Sequence, residues 1–67
     1  MDKTDIRRRV ERIRDSVVNN DDEAAHSGQD MLYVGVLEAI RRGAPNPQQL
    51  AAAALEVENI KFSRWYA

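Results

Sequence analysis

Met31-Leu32-Tyr33-Val34-Gly35-Val36-Leu37-Glu38-Ala39-Ile40 decides the fold, because it admits two readings. β-Branched and aromatic residues cluster over 33–37, as they do in a strand. Against that, Leu32, Val36, Ala39 and Ile40 keep a helical spacing that carries on through Glu38 and Arg41. Helix is the better reading, since a strand leaves the later positions without a pattern. Followed upstream, the same face collects Ala25 and Gly28, so the stripe reads Ala25, Gly28, Leu32, Gly35, Val36, Ala39 and Ile40. Residues 31–37 are apolar around the whole helix, and a segment of that kind is expected to be buried on more than one side.

Working outward, the start and stop signals bound this helix at 21–42. Asn20 with Glu23 three positions on has the form of a capping box, and Asp21 and Asp22 suit the positive end of the helix dipole. Arg41 and Arg42 precede Gly43, the expected charge bias and stop. Upstream, Ile6, Val10, Ile13 and Val17 fall within about 60° of one another on a helical wheel. They predict a helix over 5–18, with Thr4 or Asp5 as N-cap and Asn19 as a left-handed stop. Downstream of Ala44-Pro45, Asn46-Pro47-Gln48-Gln49 places Asn at the N-cap, Pro at N1 and Gln at N3. Leu50, Ala53, Ala54, Val57 and Ile60 then predict a helix over 47–60. Asn59 could close it and let 60–67 fold back, or it could run on to Trp65. Connections this short make sequential helices antiparallel neighbours. The expectation is an all-α, three-helix up-down-up bundle with an aromatic C-terminal tail and the second helix central. Gly28 and Gly35 share a face on which a neighbour can pack closely.

Composition limits what such a bundle can do. The chain has 67 residues, 43% hydrophobic and 31% charged, with a net charge of -1. That describes one small soluble domain, which buries only about 60% of its unfolded surface and so has a thin stability margin. There is no cysteine, so disulfide frameworks and thiolate metal sites are out. The charged opening lacks the apolar core of a signal peptide, and no apolar run approaches the roughly 18 residues of a membrane span. A cytoplasmic location with no membrane partner is expected. The near-neutral total conceals blocks of +2 over 1–18, -4 over 19–30 and +1 over 31–67.

Several constellations could carry chemistry. Arg7, Arg8, Arg9, Arg12 and Arg14 are the obvious phosphate contacts, but they scatter around the helix. Acids interleave with them as Arg7 with Glu11, Asp5 with Arg9 and Arg12 with Asp15, which describes a solvated, ion-paired face. The acidic run 21–23 would repel phosphate as well. A nucleic-acid regulator using Arg7, Arg8, Arg12 and Arg14 is therefore the alternative reading. Leu37-x-x-Ile40-x-x-Gly43 followed by Pro47-x-x-Leu50-Ala51 resembles the first half of a helix-turn-helix. The second half is alanine-rich and then acidic, where polar base-reading side chains are needed. Glu23, His26 and Asp30 share one helix face within about 60° and could hold a metal, as Glu-x-x-His does in carboxylate-bridged bundles. A surface helix start with His26 bonded to Asp30 or Glu23 accounts for the same spacing. One histidine and no cysteine leave no nucleophile and base pair, and no glycine-rich phosphate loop exists. Neither an enzyme, a cofactor nor a small-molecule substrate is expected.

The C-terminus Phe62-Ser63-Arg64-Trp65-Tyr66-Ala67 holds three of the four aromatic residues. Phe62 and Trp65 are expected to close the core, with Arg64 and Tyr66 as outward contacts, the residue types enriched at binding hot spots. Met31 and Val34 lie opposite Leu32 and are the other candidate contacts, either covered by wide flanking helices or left for a partner. Asp-Asp-Glu-Ala-Ala-His at 21–26, Ala-Ile-Arg-Arg-Gly at 39–43 and the terminal Phe-x-Arg-Trp-x-Ala resemble a group of small proteins encoded by actinobacteria and their bacteriophages. The resemblance covers about 21–67, implies a source of that kind, and carries over no functional residue. The expected function is a non-enzymatic protein-protein interaction module, binding a partner protein or a second copy of itself.

Overall fold

Asp2 opens the first helix, α1 (Lys3–Val18), through a reciprocal capping box. Its carboxylate accepts the Asp5 N–H at 2.9 Å, and the Asp5 carboxylate accepts the Asp2 N–H at 3.2 Å. The N-cap is thus Asp2 rather than Thr4 or Asp5, because this pairing satisfies two of the orphan amides of the first turn. The hydrogen bond from the Asp2 backbone, aided by the Arg8 charge, holds the Asp5 carboxyl below its usual pKa. In the computed structural model, residues 1–64 are described, and all three expected helices are present.

Both interhelical connections use one device. At the end of α1, Asn20 takes φ 60°, its N–H donating to the Val17 carbonyl at 3.0 Å and that of Asp21 to Ser16 at 2.8 Å. After α2 (Asp22–Arg41), Gly43 takes φ 88°, its N–H donating to Ile40 at 2.9 Å and that of Ala44 to Ala39 at 3.0 Å. These are Schellman closures, each reversing the chain within a few residues. The left-handed residue is Asn20, not Asn19, and a residue so used cannot also cap the next helix. Asp21 caps α2 instead, accepting the Ala24 N–H at 3.1 Å.

Helix α3 (Pro47–Leu55) starts as expected at Asn46 and Pro47, although Asn46 is left-handed and its side chain makes no capping bond. It stops five residues before the expected end at Ile60. The chain tightens into a 3-10 turn, Glu56–Asn59, and leaves it extended at Ile60. Val57 and Ile60 stay buried through this change. Three-residue spacing stacks side chains in a 3-10 turn as readily as it aligns them on an α-helix, so the apolar pattern does not distinguish the two.

The core is built from Ile6, Val10 and Ile13 of α1, Ala25, Leu32 and Val36 of α2, Leu50, Ala53 and Ala54 of α3, and Val57 and Ile60. Phe62 packs against it, as expected of a closing aromatic; Trp65 lies outside the described residues. The molecule is a small all-α three-helix bundle, but α2 is not its central helix. α3 lies more against α1 than against α2, so α1 has the broadest contact with both partners. Gly28 and Gly35 do receive close neighbours: a Cβ on Gly28 would stand 3.0 Å from Ile13, and one on Gly35 would stand 2.8 Å from Met1. No helix among the described residues is long and apolar enough to cross a membrane.

Candidate functional site

In the bundle α2 has one covered face and one open face. Ala25, Gln29, Leu32 and Val36 form the covered face and are buried. The stretch 31–37, expected to be buried on more than one side, is buried on this side only. Met31 is 68% exposed, Val34 60% and Leu37 66%, and across a shallow groove Leu55 of α3 is 56% exposed. The groove, about 220 Å³, is almost wholly apolar and is lined by Tyr33, Leu37, Ile40, Ala51 and Leu55 among others. Met31 stands at the other edge of the open face, beside a hollow between α1 and α2 lined by Arg9, Arg12 and Gly28. An apolar ridge therefore runs from Met31 through Val34 and Leu37 to Leu55. Scattered exposed aliphatics are ordinary, whereas an adjoining set of this size on a domain this small is not.

Charged groups frame the ridge with opposite signs. At its N-terminal end Asp30 is exposed, its carboxylate 3.7 Å from His26 Nε2. At its C-terminal end Arg41 and Arg42 reach Glu38 at 2.8 and 3.9 Å. Beside the groove the Tyr33 hydroxyl donates to the Glu58 carboxylate, tying α2 to the 3-10 turn. Burial of the phenol, and then its bond to Glu58, push its pKa upward.

Arg64, expected to face outward, turns inward. Its Nε donates to Gln29 Oε1 at 2.9 Å, while its terminal nitrogens reach the carbonyls of Val57 at 3.0 Å, Ile60 at 2.9 Å and Phe62 at 3.4 Å. The guanidinium lies 3.9 Å from the centroid of the Phe62 ring. The reason is local: the chain leaves the 3-10 turn extended, so the Ile60 and Phe62 carbonyls fall outside helical hydrogen bonding while Val57 already accepts the Ile60 N–H at 3.0 Å, and a planar five-donor fork can serve all three at once. Gln29 is the buried polar partner that this arrangement requires, and it lies on the stripe as the one non-apolar member of the covered face. Tyr66 lies outside the described residues.

The other candidates are not assembled. Arg7, Arg8, Arg12 and Arg14 are all exposed, but Arg8 with Arg12 and Arg7 with Arg14 fall on different sides of α1, about 100° or more apart. The ion pairs of α1 join Arg8 to Asp5 at 3.3 Å and Arg14 to Glu11 at 3.6 Å, one residue closer in sequence than the expected Arg7–Glu11 and Asp5–Arg9 spacing. Asp5 pairs at the shorter spacing because its second carboxylate oxygen is held by the capping box. Among the described residues no group of three or more His, Asp or Glu side chains is placed to hold a metal ion, so Glu23, His26 and Asp30 do not form the suspected site.

Sequence reasoning selected Met31 and Val34 and missed Leu37 and Leu55. The signal for Leu37 was present, since it comes three positions after Val34 on the same side of the helix. A signal for Leu55 was present too, since it lies about 150° from the middle of the Leu50, Ala53, Ala54 and Val57 stripe of α3. Comparison of the chain with known family models, with curated proteins and with solved structures finds no match.

Proposed function

We propose that the chain is a non-enzymatic helical interaction module whose working surface is the open face of α2. The observation that carries this reading is the ridge of Met31, Val34, Leu37 and Leu55, each more than half exposed although the core beside them is complete. Covering one large aliphatic side chain fully is worth about 1.5–3 kcal/mol, so the ridge offers a partner several times that amount before the costs of association. Its shape favours a protein helix as the occupant: an apolar face that slants across α2 beside a shallow apolar groove receives an amphipathic helix through anchors three and four residues apart. The reading places the module in the cytoplasm as an accessory protein, in keeping with the actinobacterial or phage source implied by the motifs at 21–26 and 39–43. It uses no cofactor or small-molecule substrate, and it needs no phosphate contact from α1.

A photo-crosslinking residue at Val34, in cells of the native host, tests this. The expected result is a discrete adduct identifiable by mass spectrometry, lost on Leu37→Glu and absent when the same probe replaces the exposed Gln48 on the far end of α3. No adduct from Val34, or equal adducts from both sites, overturns it.

A further inference from the structure

The open face of α2 carries a pattern that reads the same in both directions. Asp30, Val34, Leu37 and Arg41 are spaced by four, three and four residues and lie within about 60° of one another on the helix. The outer members are opposite charges and the inner pair are exposed aliphatics. Spacing of this kind is the two-position seam of a coiled coil, in which a helix meets its neighbour along one narrow stripe. If a second α2 is laid antiparallel on the first, with the two-fold axis passing between Val34 and Leu37, every member of the seam meets its complement. Val34 opposes Leu37 of the other copy, Leu37 opposes Val34, Asp30 opposes Arg41 and Arg41 opposes Asp30. A parallel pairing in register would instead set Asp30 against Asp30 and Arg41 against Arg41. Like charges placed face to face disfavour such a complex strongly.

We propose that the occupant of this face is a second copy of the chain, docked as an antiparallel α2–α2 dimer with a closed two-fold axis. The inference rests on the proposed function and names its partner. Three features besides the seam agree with it. The two α2 helices overlap over residues 30–41, and along that overlap their dipoles oppose. Leu55 and the groove beside Leu37 flank the seam, which adds apolar cover at its margin. A single such interface also satisfies both copies at once, because a two-fold contact uses the same patch on each. Arg41 already pairs with Glu38, and Asp30 stands near His26; both side chains are more than 60% exposed and free to turn across the axis. Two apolar layers in the whole dimer make a small contact, below the roughly 1,200 Å² of total area usual for stable complexes, so the dimer should form in the micromolar range or above.

Charge exchange across the axis gives the test. Asp30→Arg leaves two facing arginine pairs in a dimer, and Arg41→Asp leaves two facing aspartate pairs. Sedimentation of the full chain at a series of concentrations should show the unaltered protein dimerising. Each variant alone should have its dimer weakened by about tenfold or more. Mixed in equal amounts, the two variants should associate again, since every seam position is then opposed by its complement. Circular dichroism on the same samples separates loss of the fold from loss of association. An unaltered protein that stays monomeric throughout overturns the proposal, as does a dimer that ignores both reversals or a mixture no tighter than its components. The outcome is separable from that of the proposed function: a monomer whose Val34 probe still crosslinks to a different protein removes the second copy as occupant and leaves the interaction surface standing, whereas no Val34 adduct of any kind removes both.

Discussion

Two side chains show how single residues couple the parts of this molecule. Tyr33 sits at the rim of the apolar groove and donates its hydroxyl to Glu58, so its neutral form is the one the fold holds. Burial comes first and the Glu58 carboxylate second among the causes that raise its pKa above 10.0. A group raised in this way contributes stability that is fully present below its unfolded value, about 10, and is lost as pH rises through the higher folded value. In a Tyr66→Phe background, where Tyr33 is the one tyrosine, spectrophotometric titration should therefore show ionisation above that of a free phenol. Glu58→Gln should bring it down, because the amide can still accept the hydrogen bond but carries no charge. An unshifted titration in the parent would show that the bond is not formed in solution. Gln29 is the second case. A glutamine inside a helix stripe reads as an interruption of the core, and it is intelligible only once Arg64 is seen to need an acceptor there.

At the scale of elements, the turns are as specified as the helices. Gly43 at φ 88° has open space where a Cβ would stand, so substitution meets no neighbour and acts through the backbone alone. Gly43→Ala should cost about 1–2 kcal/mol, the penalty for a side chain in left-handed backbone, measurable as a shift in a urea melt with unchanged slope. The sequence made this closure visible: Gly43 after two arginines marks the end of α2 within one residue. It made the start of α3 visible too, through Asn46 and Pro47. The start of α1 was harder, because an aspartate at the third helical position does the work that a glutamate usually does in a capping box, so Thr4 and Asp5 read as caps as readily as Asp2. The end of α3 was not readable at all, since Leu50, Ala53, Ala54, Val57 and Ile60 hold the same spacing across the change from α to 3-10 geometry. The open face was half readable. Met31 and Val34 stand out as apolar residues opposite the stripe, but whether a neighbour covers them depends on which helix takes the middle of the bundle, and that is decided by packing between distant segments.

For the molecule as a whole, small size makes the last few residues matter. A bundle of this length has a thin margin, and the core contacts of Ile60 and Phe62 that join residues 60–64 to α2 are few. Arg64 adds to them: it binds Gln29 of α2, the carbonyls at the end of the 3-10 turn, and the face of Phe62. Removing it takes the donor from the buried Gln29 amide oxygen and from the Ile60 carbonyl, and leaves Val57 with the Ile60 N–H alone. Arg64→Ala should cost about 2–3 kcal/mol, and Arg64→Lys should recover little of that, because an ammonium cannot present several donors in one plane. Thermal melts of the two variants against the parent check both statements; full recovery by lysine would mean that charge alone, rather than the shape of the fork, is what the tail supplies.

That fork also bears on the order in which the chain assembles. The two Schellman closures join neighbours in sequence and can form while the rest of the molecule is still loose. The bond from Arg64 to Gln29 joins positions 35 apart, and the fork finds its carbonyls only after the 3-10 turn exists. A contact that waits on both is expected to form late, so Arg64→Ala should unfold faster than the unaltered protein while refolding at nearly the same rate, as stopped-flow kinetics would read. On that expectation Arg64 acts on the lifetime of the folded molecule rather than on the ease of reaching it.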